Sequence, residues 1–300
     1  MKIAKVLIAY DGSECADAAL EDLRCAGLPE KAHAIVLSVV ENWLPPPFNL
    51  EIFESVDYRQ EALTQARRAS ARVGGFMPGW VVEPLVGFGS PASVIIEKAD
   101  EWRPDLIVVG SHGRTAAGRF FFGSVSQKLV HEAHCAVRVV RGRVAEPNTP
   151  IRLMVGVDGS KGAAGAVDVV AARHWPPGSA ARIVTATWKM PLVTSEPTLL
   201  RIAEWVAKEN ARVALAVESA EQKLQAAGLL TSVVMREEEP KQLLLSEAEN
   251  WGADSIFVGA RGVGRLERFM IGSVSSAVAA RAHCSVEVVR TDASSEPERE

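Results

Sequence analysis

The sequence predicts an α/β protein of two tandem flavodoxin-like (Rossmann-like) domains, each a five-stranded parallel sheet with helices on both faces. The first observation is an internal repeat. GSHGRTAAGRFFFGSVS at Gly110–Ser126 returns as GARGVGRLERFMIGSVS at Gly259–Ser275, 149 residues on, and AHCAVRVVR at Ala133–Arg141 returns in the same register as AHCSVEVVR at Ala282–Arg290. Near the start of each half, VLIAYDGS (Val6–Ser13) pairs with LMVGVDGS (Leu153–Ser160) at an offset of 147, so a net two-residue insertion lies between the motifs. The second observation is the alternation, within each copy, of short apolar runs with longer segments of helical period. Such alternation implies parallel strands joined by right-handed helical crossovers that cover both faces of the sheet.

In the first half, Val6–Tyr10, Ala34–Val40, Val81–Val86, Leu106–Val109 and Ala136–Val140 are apolar, bounded by turn residues and too short for helices. Between them Ala16–Cys25, Asp57–Val73, Ala92–Trp102 and Val125–His131 have helical period or length, with Pro91 where a first helical turn accepts proline. The second half places strands at Leu153–Val157, Ile183–Trp188, Ser232–Met235, Ser255–Val258 and Val286–Val289, with helices in the intervals. The expected boundaries are domain 1 at 1–141, a linker at 142–150 containing Pro147, Asn148 and Pro150, domain 2 at 151–290, and a loose polar tail at 291–300. The proline-rich Leu44–Phe48 reads as a surface connector.

Composition narrows the function. The 300 residues are 48% hydrophobic and 23% charged with a formal net charge of -4, ordinary for a soluble protein of two domains. The basic residues are scattered, which argues against nucleic acid as a partner. Cys15, Cys25, Cys135 and Cys284 show no CxxC and no framework spacing, nothing at the N-terminus reads as a secretory signal, and the run Val6–Tyr10 is far too short to cross a membrane. A reducing, cytoplasmic location and no membrane partner are expected.

The chemistry lies after the fourth strand of each copy, in Gly110-x2-Gly113-x9-Gly123-Ser124 and Gly259-x2-Gly262-x9-Gly272-Ser273. A glycine turn at a strand's carboxyl end followed by Gly-Ser opening a helix presents backbone N–H groups to an anion, and the helix dipole favours the negative charge. The plainer reading is that Ser124 and Ser273 are helix N-caps. Asp11 and Asp158 follow the first strand of each half, at the carboxyl end where ligands bind in open α/β sheets. Either carboxylate suits a ribose hydroxyl, or else closes an Asx turn on its own Asp-Gly.

These residues resemble the universal stress protein family, and in particular its tandem members with two domains in one chain. The glycine signature matches the family's ATP-binding pattern at both sites, and the resemblance runs from the strand before Asp11 to the strand ending near Val289. It implies sheet order 3-2-1-4-5, ATP with Mg²⁺ between the first and fourth strands, and a regulatory role in the stress response. Carried over by position, the nucleotide contacts fall on Ala9, Asp11, Val39, Gly110, Gly113, Gly123, Ser124, Val125 and Ser126. In the second copy they fall on Gly156, Asp158, Thr187, Gly259, Gly262, Gly272, Ser273, Val274 and Ser275. At the second strand Thr187 and Trp188 stand for Val39 and Val40, a weaker match. The family often has proline after the His-Cys before its last strand, where this chain has Ala136 and Ser285. Domains of the family usually pair through their last strands, so the resemblance implies an internal pseudo-dimer through Ala136–Val140 and Ser285–Val289, and leaves open a homodimer of whole chains.

Other patterns carry less. Gly87-Phe-Gly-Ser-Pro-Ala92 matches a dinucleotide fingerprint, but no acid ends the next strand, so a tight turn is expected. There is no Walker A lysine, no GxSxG, and no Cys-His pair outside the strand-entry His134-Cys135 and His283-Cys284. His131 and His134 lack metal-site spacing. His112, Arg114, Arg261 and Arg265 sit in the glycine loops, as phosphate contacts or solvated charges. Trp43 and Trp188 read as packing residues, and Arg236–Glu239 as a solvated turn. Two alternatives to regulated ATP binding stand: an interaction protein of the same fold without nucleotide, and a slow ATPase using Asp11, Asp158 or the loop arginines.

Overall fold

The computed structural model describes residues 4–41, 56–113, 122–142, 144–188, 196–262 and 271–290. The segment 44–48, Trp43, Arg114, Arg265 and the tail 291–300 lie outside the described residues. The chain forms two compact units, Met1–Pro147 with Ala279–Glu287, and Asn148–Val278 with Val288–Glu300.

In the first half of the chain the strands are β1 (Ala4–Ala9), β2 (Ala32–Val40), β3 (Val81–Phe88), β4 (Leu106–Gly110) and β5 (Ala136–Val140). They lie in the order β3-β2-β1-β4-β5, and the parallel register sets Ala9 beside Leu37 and Ile8 beside Val108. Helices α1 (Glu14–Asp22), α2 (Val56–Phe76), α3 (Pro91–Trp102) and α4 (Ser124–Glu132) connect them. The central strands are near-continuous Val, Ile, Leu and Ala because both faces are covered. Ile8, Val36 and Val108 pack with Leu20 and Leu23 and with Ala69 and Val73 of α2.

The second half repeats the plan with β6 (Arg152–Gly156), α5 (Lys161–Ala172), β7 (Ala180–Ala186), α6 (Glu196–Ala226), β8 (Leu230–Arg236), α7 (Pro240–Trp251), β9 (Ser255–Gly259), α8 (Ser273–Arg281) and β10 (Ser285–Val289). Its strands run in the order β10-β9-β6-β7-β8. Trp188 falls outside β7, which ends at Ala186, and is 51% exposed, so it is not a core residue. Gly156 pairs with Val184 as Ala9 pairs with Leu37. The place of Val39 is therefore taken by Ala186, and Thr187 stands where Val40 does, which corrects the sequence alignment at this strand by one residue.

The sheet order puts β1 between β2 and β4, so the chain reverses its direction of winding at β1 and a crevice opens beyond the carboxyl ends of β1 and β4. Gly12 and Gly159, at φ 76 and 75, make the sharp turn out of the first strand of each half. Ser13 and Ser160 then cap α1 and α5, their Oγ atoms accepting from Ala16 N at 3.2 Å and Ala163 N at 3.1 Å.

Candidate functional site

In the first half a cavity of about 660 Å³ occupies that crevice. Ala9, Asp11, Val39, Gly110, Gly113, Gly123, Ser124, Val125 and Ser126 all line it, so residues from four separate stretches of the chain converge there. Among the described residues, three carboxylates, Asp11, Glu41 and Glu61, and one ammonium, Lys128, share the lining. Tyr58, Glu61, Ala62 and Gln65 bring α2 over one side, a contribution for which the sequence carried no motif.

The glycines have separable causes. A Cβ on Gly110 would lie 2.8 Å from the backbone carbon and oxygen of Cys15, so this glycine lets α1 pack against β4. A Cβ on Gly113 would lie 2.7 Å from Asp11 Oδ2, so this one makes room for a carboxylate. The second copy agrees: a Cβ on Gly259 would run into the Gly162 backbone, and one on Gly262 would lie 2.5 Å from Asp158 Oδ2. Gly123 and Gly272 close their loops alike, donating from N to Ser111 O at 2.8 Å and to Ala260 O at 2.7 Å.

Both aspartates close an Asx turn, Oδ1 accepting from Ser13 N at 3.0 Å and from Ser160 N at 2.9 Å. The two readings of Asp11 are thus compatible, since Oδ1 serves the turn while Oδ2 faces Gly113. Ser124 is not an N-cap: Gly123 holds that position with no side-chain cap, and Ser124 is the first residue of α4. Ser273 likewise is the first residue of α8. Among the described residues no side chain caps the amino end of α4, and Ser124, Val125 and Ser126 line the cavity. Ser126 and Ser275 are buried and donate to Gly110 O at 2.7 Å and Gly259 O at 2.6 Å, so those hydroxyl protons tie helix to strand.

Two features recur in both halves without a sequence motif to announce them. Gln65 Nε2 donates to Asp11 O at 3.0 Å, and Arg212 Nη2 donates to Asp158 O at 3.2 Å while its Nη1 reaches Gly159 O at 2.7 Å. Gln65 and Arg212 are 147 apart, whereas β3 and β8 begin 149 apart, so the two-residue insertion falls between them. Ser38 and Thr185, also 147 apart, are buried hydroxyls that make no hydrogen bond among the described residues, and Ser38 lines the cavity. At the equivalent mouth of the second half Trp188 and Trp205 meet edge to face, centroids 5.1 Å apart. Asn210 pins the Trp188 peptide, accepting from its N–H at 2.9 Å.

Tyr10, also in the lining, donates to Asp17 Oδ1 at 2.8 Å. Burial and the Asp17 carboxylate push its phenol up to about 12. Of the remaining sequence candidates, His134 Nδ1 sits 2.6 Å from Asp100 Oδ1 at the surface. Gly89 opens the strand-to-helix turn, and Gly87, still within β3, makes way for Val94. Glu239, read as part of a solvated turn, caps α7 by accepting from Gln242 N at 3.1 Å. The fold also makes a Cys-His pair that sequence distance hid: Cys15 Sγ lies 3.3 Å from His112 Nε2.

The sequence profile of the universal stress protein family matches residues 2–141 and again 151–290. The chain belongs to the universal stress protein family. A universal stress protein of Mycolicibacterium smegmatis is 28% identical over 95% of this chain and 96% of its own length. One from Mycobacterium tuberculosis H37Rv is also 28% identical, with the same coverage. A shorter relative from Thermus aquaticus is 37% identical across 45% of this chain and 97% of its own, one half's worth. The crystal structure of a universal stress protein from Archaeoglobus fulgidus shares the fold, with a TM-score of 0.66 at 21% identity over 97% of both chains. Among the described residues no helix is long and apolar enough to cross a membrane.

Proposed function

We propose that this universal stress protein binds ATP with Mg²⁺ in the crevice of each half, in the cytoplasm, and that occupancy regulates its conformation or its partners. The observation that carries this reading is the uncapped amino end of α4 facing a cavity of about 660 Å³ at the switch point of the sheet. A helix amino terminus with free N–H groups suits phosphate, and the cavity falls within the usual range for a small-molecule site. Gly113, Gly123, Ser124 and Val125 would meet the phosphates, Asp11 Oδ2 the ribose, and Val39 the base. The orphaned hydroxyl of Ser38 is a buried group that a ligand can satisfy.

The donor set also fits Mg²⁺. Among the described residues the lining holds three carboxylates and one lysine. Mg²⁺ is ordinarily bound by phosphate oxygens and water with one or two carboxylates, and Glu41 and Glu61 share the lining with Asp11. Bound ATP would supply polyphosphate charge and a planar base; the protein orients them.

The test is to denature freshly purified protein and quantify released nucleotide by chromatography and mass spectrometry. About two ATP per chain is expected on this reading. No nucleotide, followed by no thermal shift on adding Mg·ATP, would overturn it in favour of an interaction protein. ADP alone would replace regulated binding with turnover.

A further inference from the structure

We propose that Cys15 and His112 form a thiol site reactive toward peroxides and other electrophiles beside the first cavity, with Cys15 Sγ as nucleophile and His112 as its base. Cys15 is the second residue of α1, in the turn where unpaired N–H groups favour negative charge. Its Sγ lies 3.3 Å from His112 Nε2 and 3.6 Å from Nδ1. Ser111, only 1% exposed, holds the ring with Oγ 3.1 Å from Nδ1. With Nδ1–H donating to Ser111 Oγ, Nε2 is the unprotonated nitrogen and the nearer of the two to the thiol, which lies against the ring. Nucleophile, base and orienting group are thereby assembled from residues that lie far apart in sequence.

A second observation comes from the end of β5. Arg141 Nη1 donates to Ala280 O at 3.1 Å and Ala282 O at 2.7 Å, whereas its buried Nε and Nη2 make no hydrogen bond among the described residues. Burial lowers this guanidinium's pKa, with Cys284 and Cys15 acting in the opposite sense. Among the described residues, Asp11 shares the cavity wall with His112, and Glu14 is the residue before Cys15.

The site is confined to the first half. Gly162 and Arg261 occupy the places of Cys15 and His112 in the second. The remaining thiols differ as well: Cys25 is buried and donates to Ala145 O at 3.0 Å, and Cys284 is buried. With a peroxide, Sγ attacks one oxygen, the S–O bond forms as the O–O bond breaks, and the thiol proton passes through His112 to the leaving oxygen. That oxygen departs as water or an alcohol; sulfur loses two electrons and the peroxide gains them, leaving a sulfenic acid.

The test maps iodoacetamide labelling of the full chain by peptide mass over time, with dimedone trapping after hydrogen peroxide. At about pH 7 Cys15 is expected to react roughly tenfold or more faster than Cys135, the other half-buried cysteine, and to carry the dimedone adduct. His112→Ala and the bulkier His112→Asn should both slow labelling about tenfold near pH 7 and match the parent near pH 10, where a free thiol ionises unaided. Cys15 reacting no faster than Cys135, no adduct on Cys15, or slowing by the same factor at both pH values would overturn the proposal. These readouts need no nucleotide, so they stand or fall separately from the ATP reading.

Discussion

Gly110 and Gly113 stand three residues apart in one motif and answer to different constraints. A methyl at 110 meets main chain that cannot swing away, whereas a methyl at 113 meets the tip of the Asp11 side chain, which can. Gly110→Ala is therefore expected to destabilise the fold by about 1–3 kcal/mol, seen as a lower denaturant midpoint. Gly113→Ala should leave that midpoint nearly unchanged while weakening Mg·ATP at the first site about tenfold or more by turning Asp11 aside. Calorimetric titration beside chemical denaturation separates the two. Equal effects of both substitutions on stability would refute the assignment. The repeat of both contacts at Gly259 and Gly262 gives the same pair of variants in the second half.

At the scale of elements, the first unit contains a fully buried charge network. Arg138 of β5, 1% exposed, bonds both carboxylate oxygens of Asp22 at the end of α1, and its Nη1 donates to Glu287 of β10 at 3.4 Å. Ser285 Oγ adds a bond to Asp22 at 3.0 Å. Burial alone would lower the guanidinium's pKa, but the two carboxylates outweigh it and hold it above its ordinary value, so it stays charged. Arg138→Met would strand two buried carboxylates and should cost about 3–5 kcal/mol, whereas replacing all three charged groups by apolar residues of similar volume should recover much of that. Urea denaturation of the single and triple variants checks this; a triple variant no more stable than the single would refute it. Arg138 and Glu287 occupy the same place in the two repeats, so one repeat position carries opposite charges.

At the scale of the whole molecule, the two halves have kept one plan and diverged at the mouths of their sites. Glu41 and Tyr58 stand where the second half has Trp188 and Trp205, and Gln65 stands where it has Arg212. The tryptophan pair is half exposed, 51% and 49%, and open to stacking with a planar base. Mg·ATP is therefore expected to quench intrinsic fluorescence through the second half. The quench should persist in Gly113→Ala and disappear in a Trp188→Phe, Trp205→Phe double variant. An unaltered quench in the double variant would show that the pair does not touch the ligand.

The sequence alone determined the duplication, the strand and helix alternation, the glycine motif and the family, because each rests on local periodicity or on residues close together in the chain. Its element boundaries lie within a few residues of those in the structure, as at Ser124–Glu132 and Ala180–Ala186. Only the tertiary structure decided what depends on strand register and on how crossovers return. It set Ala186 rather than Thr187 in the place of Val39, made Gly123 the cap, and carried Gln65 and Arg212 to the Asp-Gly turns. It also left Ser38 and Thr185 without partners among the described residues and brought Cys15 to His112 across 97 residues. A one-residue change of register turns a strand's side chains to the opposite face, and weak repeat similarity at the second strand could not resolve it. Contacts between distant segments follow from packing the helices onto the sheet, which no short motif encodes.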